Sequence, residues 1–228
     1  MTKPIPAGDG HGRRHFHQRI DSLRSAVVAI GHEVGRSIAE ATEVWLRRDC
    51  DAGSRIDART AGWSARARDV ELAVYELIAT QQPMAIDLRH LVALVRVTEA
   101  VSRSGDLVAH IARSACFERE PDAFSPALRT LVVEMATVAA SQFSAALSAF
   151  DAEDDAAGHQ VESSDDDLDA LQHELFAMLL IGTVGTAPAI DLALLGRFYE
   201  RLGDHAVEIA RRISFVSNTT DGTNAGAP

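Results

Sequence analysis

The sequence predicts an all-α fold: six long helices arranged as two tandem three-helix bundles. Three observations carry this. Apolar residues recur at helical spacing through most of the 228 residues, and no segment shows the period-two alternation of a half-buried strand. Ala, Leu and Val abound, while aromatics are 5% and prolines only seven, a composition that suits helices better than a sheet. One pattern also occurs twice. Ser102-Arg103-Ser104-Gly105-Asp106 and Glu200-Arg201-Leu202-Gly203-Asp204 open a shared frame, x-Arg-x-Gly-Asp-x-x-x-x-Ile-Ala-Arg, repeated 98 residues apart (203 less 105). An internal repeat of this kind makes the chain two copies of one unit.

The elements follow in order. Residues 1–14 read as a disordered tail, polar with Gly, Pro and Asp, and the irregular spacing of His11, His15 and His17 argues against a metal tract. The first unit covers 15–119. Its first helix spans about His17–Arg48, with Ile20, Leu23, Val27, Ile30, Val34, Ile38 and Trp45 on one stripe. Asp49-Cys50-Asp51-Ala52-Gly53 marks a turn. The second helix spans about Ser54–Thr80 and stops before Gln82-Pro83, since a proline disfavours helix in the residue preceding it. The third spans about Ala85–Phe117, with Asp87 in its first turn at the positive end of the helix dipole. Glu120-Pro121-Asp122 breaks the chain. The second unit covers 124–217, and Ser125-Pro126 supplies a cap and a first-position proline for the fourth helix, about Pro126–Phe150. The fifth helix spans about Asp154–Leu180, with a very acidic first half. Residues Gly182–Pro188 form a loop, the sixth helix spans about Ile190–Ser217, and 218–228 is a second disordered tail. Helices of 25–30 residues would be ~38–45 Å long, lengths that suit bundles. Trp45 and Trp63 are expected to pack the first bundle.

Charge and cysteine content narrow the function. A net charge of −11 without a basic patch argues against a nucleic-acid binder. Cys50 and Cys116 stand in no CxxC pattern and read as two reduced, buried thiols in a reducing compartment. The first twelve residues lack the apolar run of a signal peptide, and the apolar window 176–190 is interrupted by Gly182, Gly185 and Pro188, so a cytoplasmic location is expected. No HExxH, nucleophile elbow or Gly-rich phosphate loop occurs, and Glu-x-x-His, the di-iron bundle signature, is absent, which disfavours a ferritin-like oxidase.

The carboxylates of the second unit are the candidate site. Glu200 and Asp204 lie one turn apart on one helical face, where like charges repel by roughly 0.2–0.5 kcal/mol. Asp165 and Asp169 have the same spacing on the preceding helix. If the two helices are adjacent, four carboxylates meet, and they cannot all stay ionised without a cation. Oxygen-only ligation suits Mg²⁺, Ca²⁺, Mn²⁺ or Fe. The alternative is a solvated acidic face, since residues 151–169 are rich in acids. A glycine within each repeated frame costs about 1 kcal/mol relative to alanine, which suggests close approach of a neighbouring helix or ligand beside the Asp.

Three stretches resemble the PhoU family of regulators of bacterial phosphate uptake. Glu200-Arg201-Leu202-Gly203-Asp204-His205-Ala206 is similar to the family's third-helix signature. Gln82-Pro83-Met84-Ala85-Ile86-Asp87-Leu88-Arg89 is similar to its entry to the third helix, and Asp165-x-x-Leu168-Asp169 to an acidic element of its second helix. The resemblance implies two three-helix bundles related by pseudo-twofold symmetry. It implies metal ions held by carboxylates, iron or zinc in the family, with Mn or Mg also compatible with the donors. It further implies partners: the phosphate ABC transporter, especially its ATPase, and a phosphate-sensing histidine kinase. The implied role is negative regulation of the phosphate-starvation response, without enzyme activity and with the membrane reached only through partners. A homodimer is compatible with such a bundle, though no pattern specifies one.

The first unit departs from that family pattern. Ser102 stands where Glu200 stands, and Thr60 and Ser64 fall where second-helix Asp residues would be, so only Asp106 survives. The expected metal site is therefore Asp165, Asp169, Glu200 and Asp204 in the second unit, with Asp106 and His205 as weaker candidates. Two other readings remain open: a carboxylate-bridged metal enzyme or store, and a metal-free helical adaptor.

Overall fold

The computed structural model describes residues 10–117, 124–182 and 184–217, and of residues 10, 11 and 165 the backbone alone. Seven helices and no strand occur among the described residues: α1 (Gly10–Arg47), α2 (Cys50–Gln81), α3 (Ile86–Ser114), α4 (Pro126–Ala152), α5 (Asp155–Ser163), α6 (Asp165–Leu180) and α7 (Thr186–Ser217). α1, α2 and α3 form the first bundle, and α4, α5–α6 and α7 the second. The expected tail at 218–228 and the Glu120–Asp122 break lie outside the described residues.

The two bundles share one continuous core. α1, α3, α4 and α7 make its centre, with α2 outside on α1 and α3 and α5–α6 outside on α4 and α7. α1 and α4 run antiparallel, so that Gly31 meets Leu147 and Gly35 meets Phe143. α3 and α7 are antiparallel too: Ser104 reaches His205, and Arg89 Nη1 donates to the Phe215 carbonyl at 2.9 Å. α7 shows why the sequence pattern works. Leu195, Tyr199, Leu202, Ala206, Ile209 and Ile213 are all buried on its inner stripe, and each large side chain so buried contributes about 1.5–3 kcal/mol.

The repeat is legible in detail. The α1–α2 and α4–α5 turns match 105 residues apart (158 less 53). Arg48 (φ 59°) and Glu153 (φ 53°) both take the left-handed conformation. Asp49 and Asp154 then cap α2 and α5, accepting from Ala52 N at 2.9 Å and Ala157 N at 3.0 Å. Gly53 lies against Ala112, and its counterpart Gly158 lies against Ala210 and Ile213.

Several expectations need correction. Residues 10–14 are helical rather than tail, because α1 continues to Phe16, which is buried, and His17, whose Nε2 lies 3.0 Å from Asp87 Oδ1. The fifth helix is two helices, broken at Ser164. There the Gln142 side chain donates to the Ser164 carbonyl at 2.5 Å. The break places Asp165, Asp166 and Asp167 in the first turn of α6, where the helix dipole favours carboxylates. α7 begins at Thr186, which puts Pro188 in its first turn. Trp45 stacks on Phe124, with ring centroids 5.2 Å apart, so it packs across the seam between the bundles as well as within the first.

The cysteines are the sharpest correction. Cys50 and Cys116 are exposed, and they are joined in a disulfide across a Cα–Cα distance of 4.5 Å. Cys50 is the first residue of α2 and Cys116 lies just past α3, so the fold brings together two positions 66 apart in the sequence.

One helix among the described residues, Pro126–Ala152, is long and apolar enough to cross a membrane by length and composition. Half of its most apolar stretch is buried, against α1 and α7, and that core role accounts for its composition.

Candidate functional site

The site is built where α6 lies on α7. Leu168 is fully buried, and its Cδ1 would be 2.6 Å from a Cβ on Gly203. The glycine therefore serves the close helix approach that its position suggests, and that contact sets the register of α6 beside Asp204. Glu200, Asp204 and Asp169 then gather within range of one another's charge. Asp169 and Asp204 are exposed, while the Glu200 side chain is 14% exposed and is paired with Arg197 Nη1 at 2.5 Å. Burial pushes the Glu200 carboxyl above the usual carboxylate range, and the charges of Asp204 and Asp169 push it further, against the pull of Arg197.

Asp165 opens α6 one turn before Asp169, and its side chain lies outside those described. Among the described residues no group of three His, Cys, Asp or Glu side chains is arranged to hold a metal ion. Against Gly203, the residue before Asp204, is an orphaned acceptor. Gln142 is 6% exposed, its amide nitrogen is used on Ser164, and its Oε1 has no hydrogen-bond partner while lying 3.2 Å from where a Gly203 Cβ would be.

The equivalent corner of the first bundle is filled differently. Trp63 takes the place of Leu168, with Cε3 3.3 Å from a Cβ on Gly105. Its Nε1 donates to Glu33 at 3.0 Å, and Arg66 donates to both oxygens of the same carboxylate at 3.0 and 2.6 Å. The Arg66 hydrogen bond holds Glu33 below the usual carboxylate range, against the opposing effect of burial. Thr60 donates to the Asp57 carbonyl at 2.7 Å, and Asp106 is exposed. His110, four residues on, is exposed and stacks on Phe198 at 5.5 Å.

His205 faces away from the carboxylates, into the seam. It is buried, with Nδ1 3.0 Å from Ser104 Oγ. The Ser104 hydroxyl donates to the Ala100 carbonyl at 2.8 Å, so it accepts from His205 Nδ1–H. Burial, then the charges of Arg201 and Arg103, pushes the imidazole down to about 4 and keeps it neutral. A second buried pair lies in the same seam. Thr42 Oγ1 donates to the Ile38 carbonyl at 2.8 Å and therefore accepts from the Tyr199 hydroxyl at 2.6 Å. Neither Ser104 nor Thr42 stands out in the sequence, because each becomes polar glue only once antiparallel helices meet.

Fold and site thus define a class: a protein of two tandem three-helix bundles with a carboxylate cluster on the second. A model of the PhoU domain matches the chain twice, over residues 27–115 and 132–213, and the chain belongs to the PhoU family. It is 30% identical over 208 residues to the phosphate-specific transport system accessory protein PhoU homolog 2 of Mycobacterium tuberculosis, covering 89% of this chain and 96% of that one. It is 29% identical over 205 residues to PhoU homolog 1 of Mycobacterium leprae, covering 89% and 92%. Its fold matches the crystal structure of PhoU from Pseudomonas aeruginosa with a TM-score of 0.80 at 22% identity, over 89% of this chain and 98% of that one. The phosphate transport system regulatory protein PhoU from Streptococcus pneumoniae matches at 0.79 and 18%, over 89% and 97%.

Proposed function

We propose that this chain is an accessory protein of a phosphate-specific transport system, acting by binding other proteins. The observation that carries this reading is the family match across both bundles, with relatives that bear that role in their names. In this reading the chain works in the cytoplasm, as a homodimer, and docks on the transporter ATPase or on a phosphate-sensing histidine kinase. It thereby holds the phosphate-starvation response off when phosphate is ample. A strain lacking the gene should show constitutive phosphate-starvation reporter output at high phosphate; wild-type output there rejects the regulator.

The second bundle would also bind a metal cation. The donors fit a hard ion: they are carboxylate oxygens, and Glu200 is already disfavoured as an anion by burial and by Asp204 and Asp169. The unpartnered Gln142 oxygen lies against Gly203, the residue before Asp204. Asp165, Asp169, Glu200 and Asp204 would hold the ion once Arg197 releases Glu200, and the ion would supply the positive charge that the cluster lacks. The first bundle meets its Glu33 with Arg66 and needs no ion there. Metal analysis of the purified protein tests this: D165A and D204A should each lose bound metal, and unchanged content in both would sink the site.

A further inference from the structure

The two bundles solve one mechanical problem in two ways. Where the first joins the start of α2 to the end of α3 by Cys50–Cys116, the second joins the start of α5 to the end of α7 by a hydrogen bond from Ser214 Oγ to Asp155 Oδ1 at 2.5 Å. These pairs are repeat equivalents: Asp155 follows Cys50 by the 105 residues that relate the caps, and Ser214 follows Cys116 by the 98 that relate the Gly-Asp frames. Close packing lies beneath each, of Gly53 on Ala112 and of Gly158 on Ala210 and Ile213. The fold therefore has a non-covalent solution at this corner, and a covalent bond is not required to close it.

We propose that Cys50–Cys116 is a thiol–disulfide exchange site, opened by a dithiol reductant and closed again without unfolding of the bundle. Both cysteines are exposed, which gives an attacking thiolate access. Cys50 is the first residue of α2, where the positive end of the helix dipole stabilises a departing thiolate. The carboxylate of the preceding Asp49 is occupied by Ala52 N. The reductant's thiolate attacks Cys116 Sγ, forming a mixed disulfide, and the S–S bonding electron pair leaves on Cys50 Sγ, which takes up a proton. The reductant's second thiol then displaces Cys116, which is protonated in turn. The dithiol ends as a disulfide and the protein as two thiols. In a reducing compartment an exposed pair of this kind is redox-responsive rather than a permanent staple.

The test uses the full chain, purified in air. Iodoacetamide should add no group before reduction, even in denaturant. After a neutral-pH incubation with dithiothreitol, two groups should add without denaturant while far-ultraviolet circular dichroism stays unchanged. Oxidised dithiol should restore the unlabelled state. Dithiothreitol should lower the Tm of the wild type but not that of C50D/C116S, which copies the Asp155–Ser214 pair and should melt above C50A/C116A. Labelling that requires denaturant, helicity that collapses on reduction, or thiols that stay free under oxidant would each overturn the proposal.

Discussion

If residues 155 and 214 occupy the geometry of 50 and 116, a second bridge can be installed by D155C/S214C in a C50S/C116S background. The native pair spans a Cα–Cα distance of 4.5 Å, inside the range that a disulfide accepts. The new crosslink would span residues 155 to 214, 59 apart, so by the chain-entropy relation it removes about 14 cal/mol/K from the unfolded ensemble, or about 4 kcal/mol at 25 °C. Against this stands the loss of the Ser214–Asp155 hydrogen bond. Asp155 has a side-chain exposure of 37%, so solvent weakens that bond and its loss costs about 1–2 kcal/mol. The net gain is about 2–3 kcal/mol, a rise in Tm of roughly 4–12 °C for a chain of this size. Scanning calorimetry with and without reductant reads it directly, because the increment must vanish on reduction. Cysteines that stay free under oxidant, or a bridge that closes and lowers Tm, would refute the equivalence of the two corners.

Further expectations separate the packing contacts. Gly203→Ala should cost about 1–3 kcal/mol in urea unfolding, since its Cβ meets the buried Leu168 at 2.6 Å. Gly62→Ala, on the exposed face of α2 with nothing within 4 Å of its Cβ, should instead gain up to about 1 kcal/mol. Tyr199→Phe should cost about 1 kcal/mol by removing the donor to Thr42, measured by the same midpoint. His90 sits beside Arg24 and Glu153, and burial lowers its pKa from the ordinary 6.5. The unfolded chain then binds the proton more readily, so this contribution to stability is complete above pH 6.5 and is lost as pH falls from there toward the folded value. His90→Gln should flatten that part of the stability–pH curve, and an unchanged slope would contradict the burial argument.

The helices, the repeat and the role of the conspicuous glycines were legible because each depends on spacing within a helix. Leu195, Tyr199, Leu202, Ala206 and Ile209 announce the buried stripe of α7, and Gly105 and Gly203 announce a close neighbour. What the pattern hid was set by contacts between helices. The Ser164 break depends on Gln142, twenty-two residues away, and the acid run that follows it reads equally well as the middle of one helix. The disulfide was hidden because third helices align at an offset of 98 residues and second helices at 105. Cys50 and Cys116 find their counterparts Asp155 and Ser214 only when both offsets are used. Thr42 and Ser104 needed the antiparallel packing of α1 and α3 on α7 before Tyr199 and His205 could be their partners.

The two copies have diverged in electrostatics more than in shape. Residues 15–119 carry 14 Arg and 14 Asp or Glu, whereas residues 124–217 carry 5 Arg and 15 Asp or Glu. The first bundle balances its acids locally: Glu33 with Arg66, Glu40 with Arg59, Asp57 with Arg113. The second leaves Asp169 and Asp204 exposed and gives Glu200 a single arginine. At physiological salt charges are screened over about 8 Å, far less than the ~48 Å length of a 32-residue helix such as α7. The acidic half is therefore felt locally and is not averaged out by the neutral half. A cation, or a basic face on a partner, meets a favourable field on the second bundle alone, so the shared architecture presents two different surfaces from one repeated framework.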